Sequence, residues 1–172
     1  MKILKYLLFT IIGLTLIIFA LSLVLPKSFH AEGTTEINRP IDEVFDYVKY
    51  IKNQENYGVW FKMDDNIQKK YSGTDGTVGF TYEWESEKVG NGKQVITKSI
   101  ENERVEMDLY FEDSEDAAKS YISTEAIDSN STKVIWAIDG KMPIPFNVMG
   151  LFYDMNNDFI EGVKNLKEVL EK

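Results

Sequence analysis

The chain contains one histidine, His30, and no cysteine, so the nucleophile and base pairs that drive acyl transfer have almost nothing to be built from. A hydroxyl nucleophile would need His30 beside it. In the alternating segment SFHAEGTTEI, however, His30 falls opposite Phe29 and Ala31, on the side expected to face solvent. A zinc or iron centre made of several His or Cys ligands is excluded. Carboxylates are plentiful. The pair Asp64-Asp65 and the run EDSED at 112–116 offer oxygens to a hard cation, but neither has the ordered spacing of a calcium loop, and both read as solvated loop acids. Glu83, Glu85, Glu106 and Asp139 would suit acid–base work only if burial raised their pKa. The first three alternate with large apolar residues, which puts them on the opposite, exposed face. The glycine-rich GTDGTVG at 73–79 lacks the Lys and Ser/Thr of a phosphate loop and precedes a strand, so it reads as turn chemistry. No catalytic residue, metal ligand or cofactor is assigned on this basis.

The elements that would carry any site are more legible. Residues 69–95 contain five glycines, and Val78, Phe80, Tyr82 and Trp84 share one side of an alternating run. Such a large aromatic face must be buried by something. Upstream, alternation over Phe29, Ala31, Gly33, Thr35 and Ile37 predicts a first strand. Pro40 then opens a helix with Ile41, Val44, Phe45, Val48 and Ile51 at helical spacing and Asp42 and Glu43 in its first turn. From 67 to 140 the period is two, with turn signals about every ten residues. Strands are expected over 67–71, 78–85, 93–100, 104–112, 118–127 and 133–139, an antiparallel meander. Pro143 and Pro145 end it. Met149, Phe152, Met155, Phe159, Val163, Leu166 and Leu170 recur at threes and fours and predict one long helix over 146–170. The expected class is α+β, with that helix lying across a curved antiparallel sheet.

Residues 3–25 contain a single charge, Lys5, and no proline. As a helix they would extend about 35 Å, enough to cross a hydrocarbon core of about 30 Å. The expected organisation is an N-terminal transmembrane anchor, 1–27, and a second domain, 28–172. A cleaved secretory signal is the competing reading, with Ala20-Leu21-Ser22 as its small-x-small triplet, and a lipoprotein signal is ruled out by the absence of cysteine. Lys2 and Lys5 lie at the start of the apolar run and Lys27 follows it, favouring a cytoplasmic N-terminus and an exported domain. The formal charge is −9, and three lysines with no acid lie in the first 27 residues, so the remainder is more acidic still. Such a surface is solvated and poorly matched to nucleic acid or anionic headgroups.

Several ordered motifs carry a family likeness: INRPIDEVFDYV, Trp60 after the helical segment that this motif opens, YSGTDGTVGFTYEW, Gly90 and Gly92 before the next strand, and EGVKNLKEVLE closing the last helix. In this order residues 28–172 resemble the polyketide cyclase/dehydrase branch of the START-like (SRPBCC, Bet v 1-like) superfamily. The resemblance implies a helix-grip fold whose sheet wraps the C-terminal helix and leaves a cavity for a hydrophobic ligand. Its expected lining is Trp60, Phe80, Tyr82, Trp84, Met107, Leu109, Trp136 and Phe152, with Tyr82, Tyr121 and Tyr153 supplying hydroxyls; the same residues would also make plain core. The expected partners are an apolar or amphipathic, lipid-like small molecule and, through the N-terminal helix, a membrane. A cyclase or dehydratase acting on an aromatic substrate, and an interaction domain with a filled core, are the alternatives.

Overall fold

The computed structural model describes residues 2–112 and 116–172, so most of the acidic run at 112–116 lies outside it. The chain forms two compact units, Met1–Phe29 with Lys141–Asp154, and His30–Gly140 with Met155–Lys172.

The second unit is built on a sheet of seven strands in the order β1-β7-β6-β5-β4-β3-β2. These are β1 (Ser28–Ile37), β2 (Gln68–Ser72), β3 (Thr81–Glu85), β4 (Gly92–Ile100), β5 (Arg104–Phe111), β6 (Ala118–Asp128) and β7 (Ser131–Lys141). Strands β2 to β7 form the expected meander, each antiparallel to the next, and β1 returns to pair with β7. The turns follow local chemistry. Asn102 takes a left-handed φ of 57° between β4 and β5, and the Asp128 carboxylate accepts from the Asn130 amide between β6 and β7 at 2.8 Å. Alternation then decides what is inside: β6 buries Ala118, Ser120, Ile122 and Thr124, while β7 buries Thr132, Val134, Trp136 and Ile138.

Between β1 and β2 lie a short helix, Ile41–Val48, and two 3-10 turns, Ile51–Asn56 and Val59–Lys62. The closing helix runs Asn156–Leu170 and buries Phe159, Gly162, Val163 and Leu166, an i, i+3, i+4, i+7 stripe. It is shorter than the 146–170 expected. Phe146–Leu151 is a separate 3-10 turn, and Phe152 belongs to neither element. Strand β3 also starts later than expected: Gly79, at φ 89°, breaks the extended backbone, leaving Val78 63% exposed while Phe80 enters the core.

The closing helix is held at both ends. At its C-terminus the Arg39 Nε donates to the Leu170 carbonyl at 2.7 Å, and the Asn38 amide donates to the Glu171 carboxylate at 2.6 Å. Near its start β1 touches the helix backbone. A Cβ added at Gly33 would lie 2.3 Å from the Phe159 carbonyl carbon, and backbone cannot yield as a side chain can. Gly33→Ala should therefore destabilise this unit by about 3 kcal/mol, the upper end of overpacking costs. Urea denaturation followed by tryptophan emission measures it, and an unchanged midpoint would refute the close approach.

Candidate ligand-binding cavity

Inside the second unit the aromatic residues of β3, β5 and β7 face the closing helix across incompletely filled space. The space left is a cavity of about 210 Å³. One wall carries three rings in mutual edge-to-face contact: Trp60 and Trp136 at 5.6 Å between centroids, Trp136 and Phe159 at 5.2 Å, and Trp60 and Phe159 at 5.3 Å. Such pairs contribute about 0.5–1.5 kcal/mol each beyond the area they bury. The other wall is a stack. Phe61 lies against Tyr82, Tyr82 against Trp84 at 5.5 Å, and Trp84 meets the edge of Phe111 at 6.2 Å.

Of the five glycines between 69 and 95, four, Gly73, Gly76, Gly79 and Gly90, take positive φ in turns. Gly92 serves a different end. It pairs directly with Trp84 across β3 and β4, and a Cβ there would stand 2.5 Å from the indole. The glycine makes room for the ring that forms part of the wall.

Of the residues expected to line a cavity, Trp60, Tyr82, Trp84, Leu109 and Trp136 do so. Phe80 does not; it is buried as core and stacked on Tyr71. Met107 lies behind the wall, where its sulfur accepts the side-chain amides of Gln94 at 2.6 Å and Gln54 at 3.6 Å. Phe152 is 88% exposed and belongs to the first unit, because the helix expected to carry it inward begins four residues later. Of the three tyrosines only Tyr82 reaches the cavity. Tyr121 carries the Arg104 guanidinium over its ring at 4.1 Å, and Tyr153 is in the first unit.

Sequence reasoning passed over the polar lining: Gln54, Gln94 and Ser120, all buried. The signal was available for two of them. Gln94 shares its face of β4 with Ile96, and Ser120 stands between Ala118 and Ile122 on β6, so each is a polar residue at an inward register. The Ser120 hydroxyl donates to the Ala137 carbonyl at 2.8 Å, which orients its oxygen as an acceptor. The Tyr82 phenol is pushed well above its ordinary pKa, by burial first and by the charge of Glu55 second, so it stays protonated and able to donate.

The charged candidates lie elsewhere. Glu83 pairs with Lys70 at 3.3 Å, and Glu106 stands 3.9 Å from Arg104; both side chains are partly exposed. Asp64 is not a solvated loop acid as expected. It is buried, with the Ser86 hydroxyl donating at 2.7 Å and the Asn66 amide at 3.0 Å, and these bonds hold its carboxyl below the usual range. It staples two loops at a polar surface depression. Among the described residues no three His, Asp or Glu come together to hold a metal ion.

His30 is half exposed, with Nδ1 2.8 Å from Asp139 and Nε2 3.5 Å from Glu32. The Asp139 hydrogen bond raises its pKa above 6.5, with Glu32 adding to the effect and partial burial opposing it. A raised histidine contributes stability that is complete below the unfolded value, near 6.5, and disappears as pH climbs through the folded one. Asp139→Asn should bring the titration of this single imidazole down toward 6.5 by NMR; an unmoved midpoint would disprove the pairing.

No protein-family profile matches the chain, and no curated protein matches its sequence. Solved structures do. Norcoclaurine synthase from Thalictrum flavum, determined in complex with dopamine and hydroxybenzaldehyde, superposes with a TM-score of 0.61 at 11% identity over 88% of this chain and 91% of that one. The Aha1 dimer from Colwellia psychrerythraea gives 0.58 at 16% identity, covering 83% and 96%. A protein from Nitrosospira multiformis gives 0.58 at 12% identity, covering 83% and 96%. At these identities the likeness is one of fold, and the chain has the Bet v 1-like helix-grip fold, a curved seven-stranded antiparallel sheet closed by a C-terminal helix, with an apolar helix added at the N-terminus.

Proposed function

We propose that the chain is a membrane-anchored binding protein for a small, mainly apolar molecule with one ring and one or two hydrogen-bonding groups. The observation that carries this reading is the cavity of about 210 Å³, walled by aromatic rings and furnished with Gln54, Gln94 and Ser120. A dry cavity of about 150 Å³ suffices for benzene, so the space suits a substituted ring or one segment of an acyl chain, not a whole lipid. Norcoclaurine synthase, with the same fold, was determined with two one-ring compounds. None of the lining side chains carries a carboxylate, imidazole or amine. That favours binding over a cyclase or dehydratase, for which only the Tyr82 phenol would serve. The unfilled volume weighs against a pure interaction domain.

The anchor in this reading is α1, Lys2–Val24, whose apolar side chains are exposed along its length. It is long enough to span a bilayer, and Lys2 and Lys5 at its start favour an exported binding domain. Tethering would keep the cavity near a reservoir of apolar ligand.

All three tryptophans of the chain, Trp60, Trp84 and Trp136, line the cavity. A fitting one-ring phenol or aldehyde should therefore change tryptophan emission and, at a hundred times its Kd, stabilise the fold by about 2.7 kcal/mol. Leu109→Trp, which fills the space, should abolish both effects in a folded chain. If Leu109→Trp responds to the ligand as the parent does, the cavity is not the binding site.

A further inference from the structure

The first unit joins α1 to residues 141–154, and the joint lies at the C-terminal end of the helix. A helix leaves its last carbonyls without donors, and here the usual i+4 partner of Ser22 is Pro26, which has no N–H. The Asn147 side chain supplies what is missing. Its Nδ2 lies 2.8 Å from the Ser22 carbonyl and 3.3 Å from those of Leu25 and Pro26. Ser22 is the buried residue of α1, and Asn147 is itself only 4% exposed. The Met142 amide adds a bond to the Lys27 carbonyl at 2.8 Å. The 3-10 turn Phe146–Leu151 is thereby fixed beside the last turn of α1.

What this segment presents outward is apolar. Phe146 is 61% exposed, Met149 57%, Leu151 56% and Phe152 88%, and no charged residue occurs from 142 to 153. Four large apolar side chains held together in the open mark a surface that meets something other than water. The backbone is suited to the same surroundings. Pro143 and Pro145 have no N–H, and the amides of Asn147, Val148, Phe152 and Tyr153 all donate to nearby carbonyls. Each such paired or missing donor lowers the cost of placing backbone at the edge of hydrocarbon. Charged residues return only at the flanks, Lys141 and Asp154.

We infer that residues 143–153 are a second membrane-contacting element, lying in the headgroup and acyl boundary of the leaflet where α1 ends, with Phe146, Met149, Leu151 and Phe152 inserted. The occupant of this surface is lipid, because the segment continues the apolar surface of α1 and is bonded to the turn at which that helix leaves the bilayer. Interfacial elements of this kind sink about 5–10 Å into the boundary. The inference rests on α1 spanning the membrane.

The absence of native cysteine makes the test direct. Single cysteines at Leu14, Phe146, Phe152 and Ile127, labelled with an environment-sensitive fluorophore, would be studied in the full chain reconstituted into phosphatidylcholine and phosphatidylglycerol vesicles. The lipids would carry a nitroxide either high on the acyl chain or near the bilayer centre, and tryptophan emission would confirm that each labelled chain is folded. The label at 14 should be quenched most by the deep nitroxide, those at 146 and 152 several-fold more by the shallow one than the label at 127, which should remain in water. Labels at 146 and 152 that stay aqueous while 14 is quenched would overturn the inference and leave the anchor intact. An unquenched label at 14 would remove the anchor and the inference together. Labels at 146 and 152 that are dry but unquenched, with energy transfer between chains, would show a contact between copies and likewise overturn it.

Discussion

The contact on which the second unit depends is the meeting of Trp136, on the sheet, with Phe159, on the closing helix, and with Trp60, from the 3-10 turn between them. Planar rings packed edge to face hold a helix against a sheet while leaving space beside them that flexible aliphatic chains would fill. Gly33 completes the grip by bringing β1 onto the helix backbone. Those contacts bring the helix onto the sheet at both the rings and β1.

The polar atoms in the cavity were placed by the same alternation that placed the rings. Gln94 and Ser120 point inward because their neighbours two residues away do, and a buried amide or hydroxyl must find a partner. Met107 shows how that is met: its sulfur, a weak acceptor, takes both glutamine amides. A site that recognises ligands by neutral hydrogen bonds discriminates by shape and by unmet donors, and it is largely indifferent to pH near neutrality. The acidic surface outside it is a matter of solubility.

The strands were legible because a period of two leaves few alternatives once one face is apolar, and the order of motifs carried the fold. The segment 146–155 departs from the long helix that its spacing predicts for a physical reason. Met149, Phe152 and Met155 recur every third residue, which a helix packed on the sheet and an exposed 3-10 turn followed by a loop both satisfy. Periodicity reports that a face is apolar and says nothing about what covers it. The Asn147 bonds to the end of α1 span more than a hundred residues, so no local pattern could have revealed them. The role of Gly92 opposite Trp84 depends on register across two strands, which no pattern along one strand displays. Phe80 and Trp84 share a face of the alternating run, yet only Trp84 borders the cavity.

The proposed function requires the cavity to be occupied by a small molecule in its native setting. The most direct measurement is native mass spectrometry of the full chain released from membranes of the cells that make it, followed by solvent extraction and identification of anything retained. A single compound of one ring or comparable bulk, bound one to one and absent from Leu109→Trp, is the predicted result. A chain that is empty under conditions preserving other ligands, or one that holds a whole phospholipid, would contradict it.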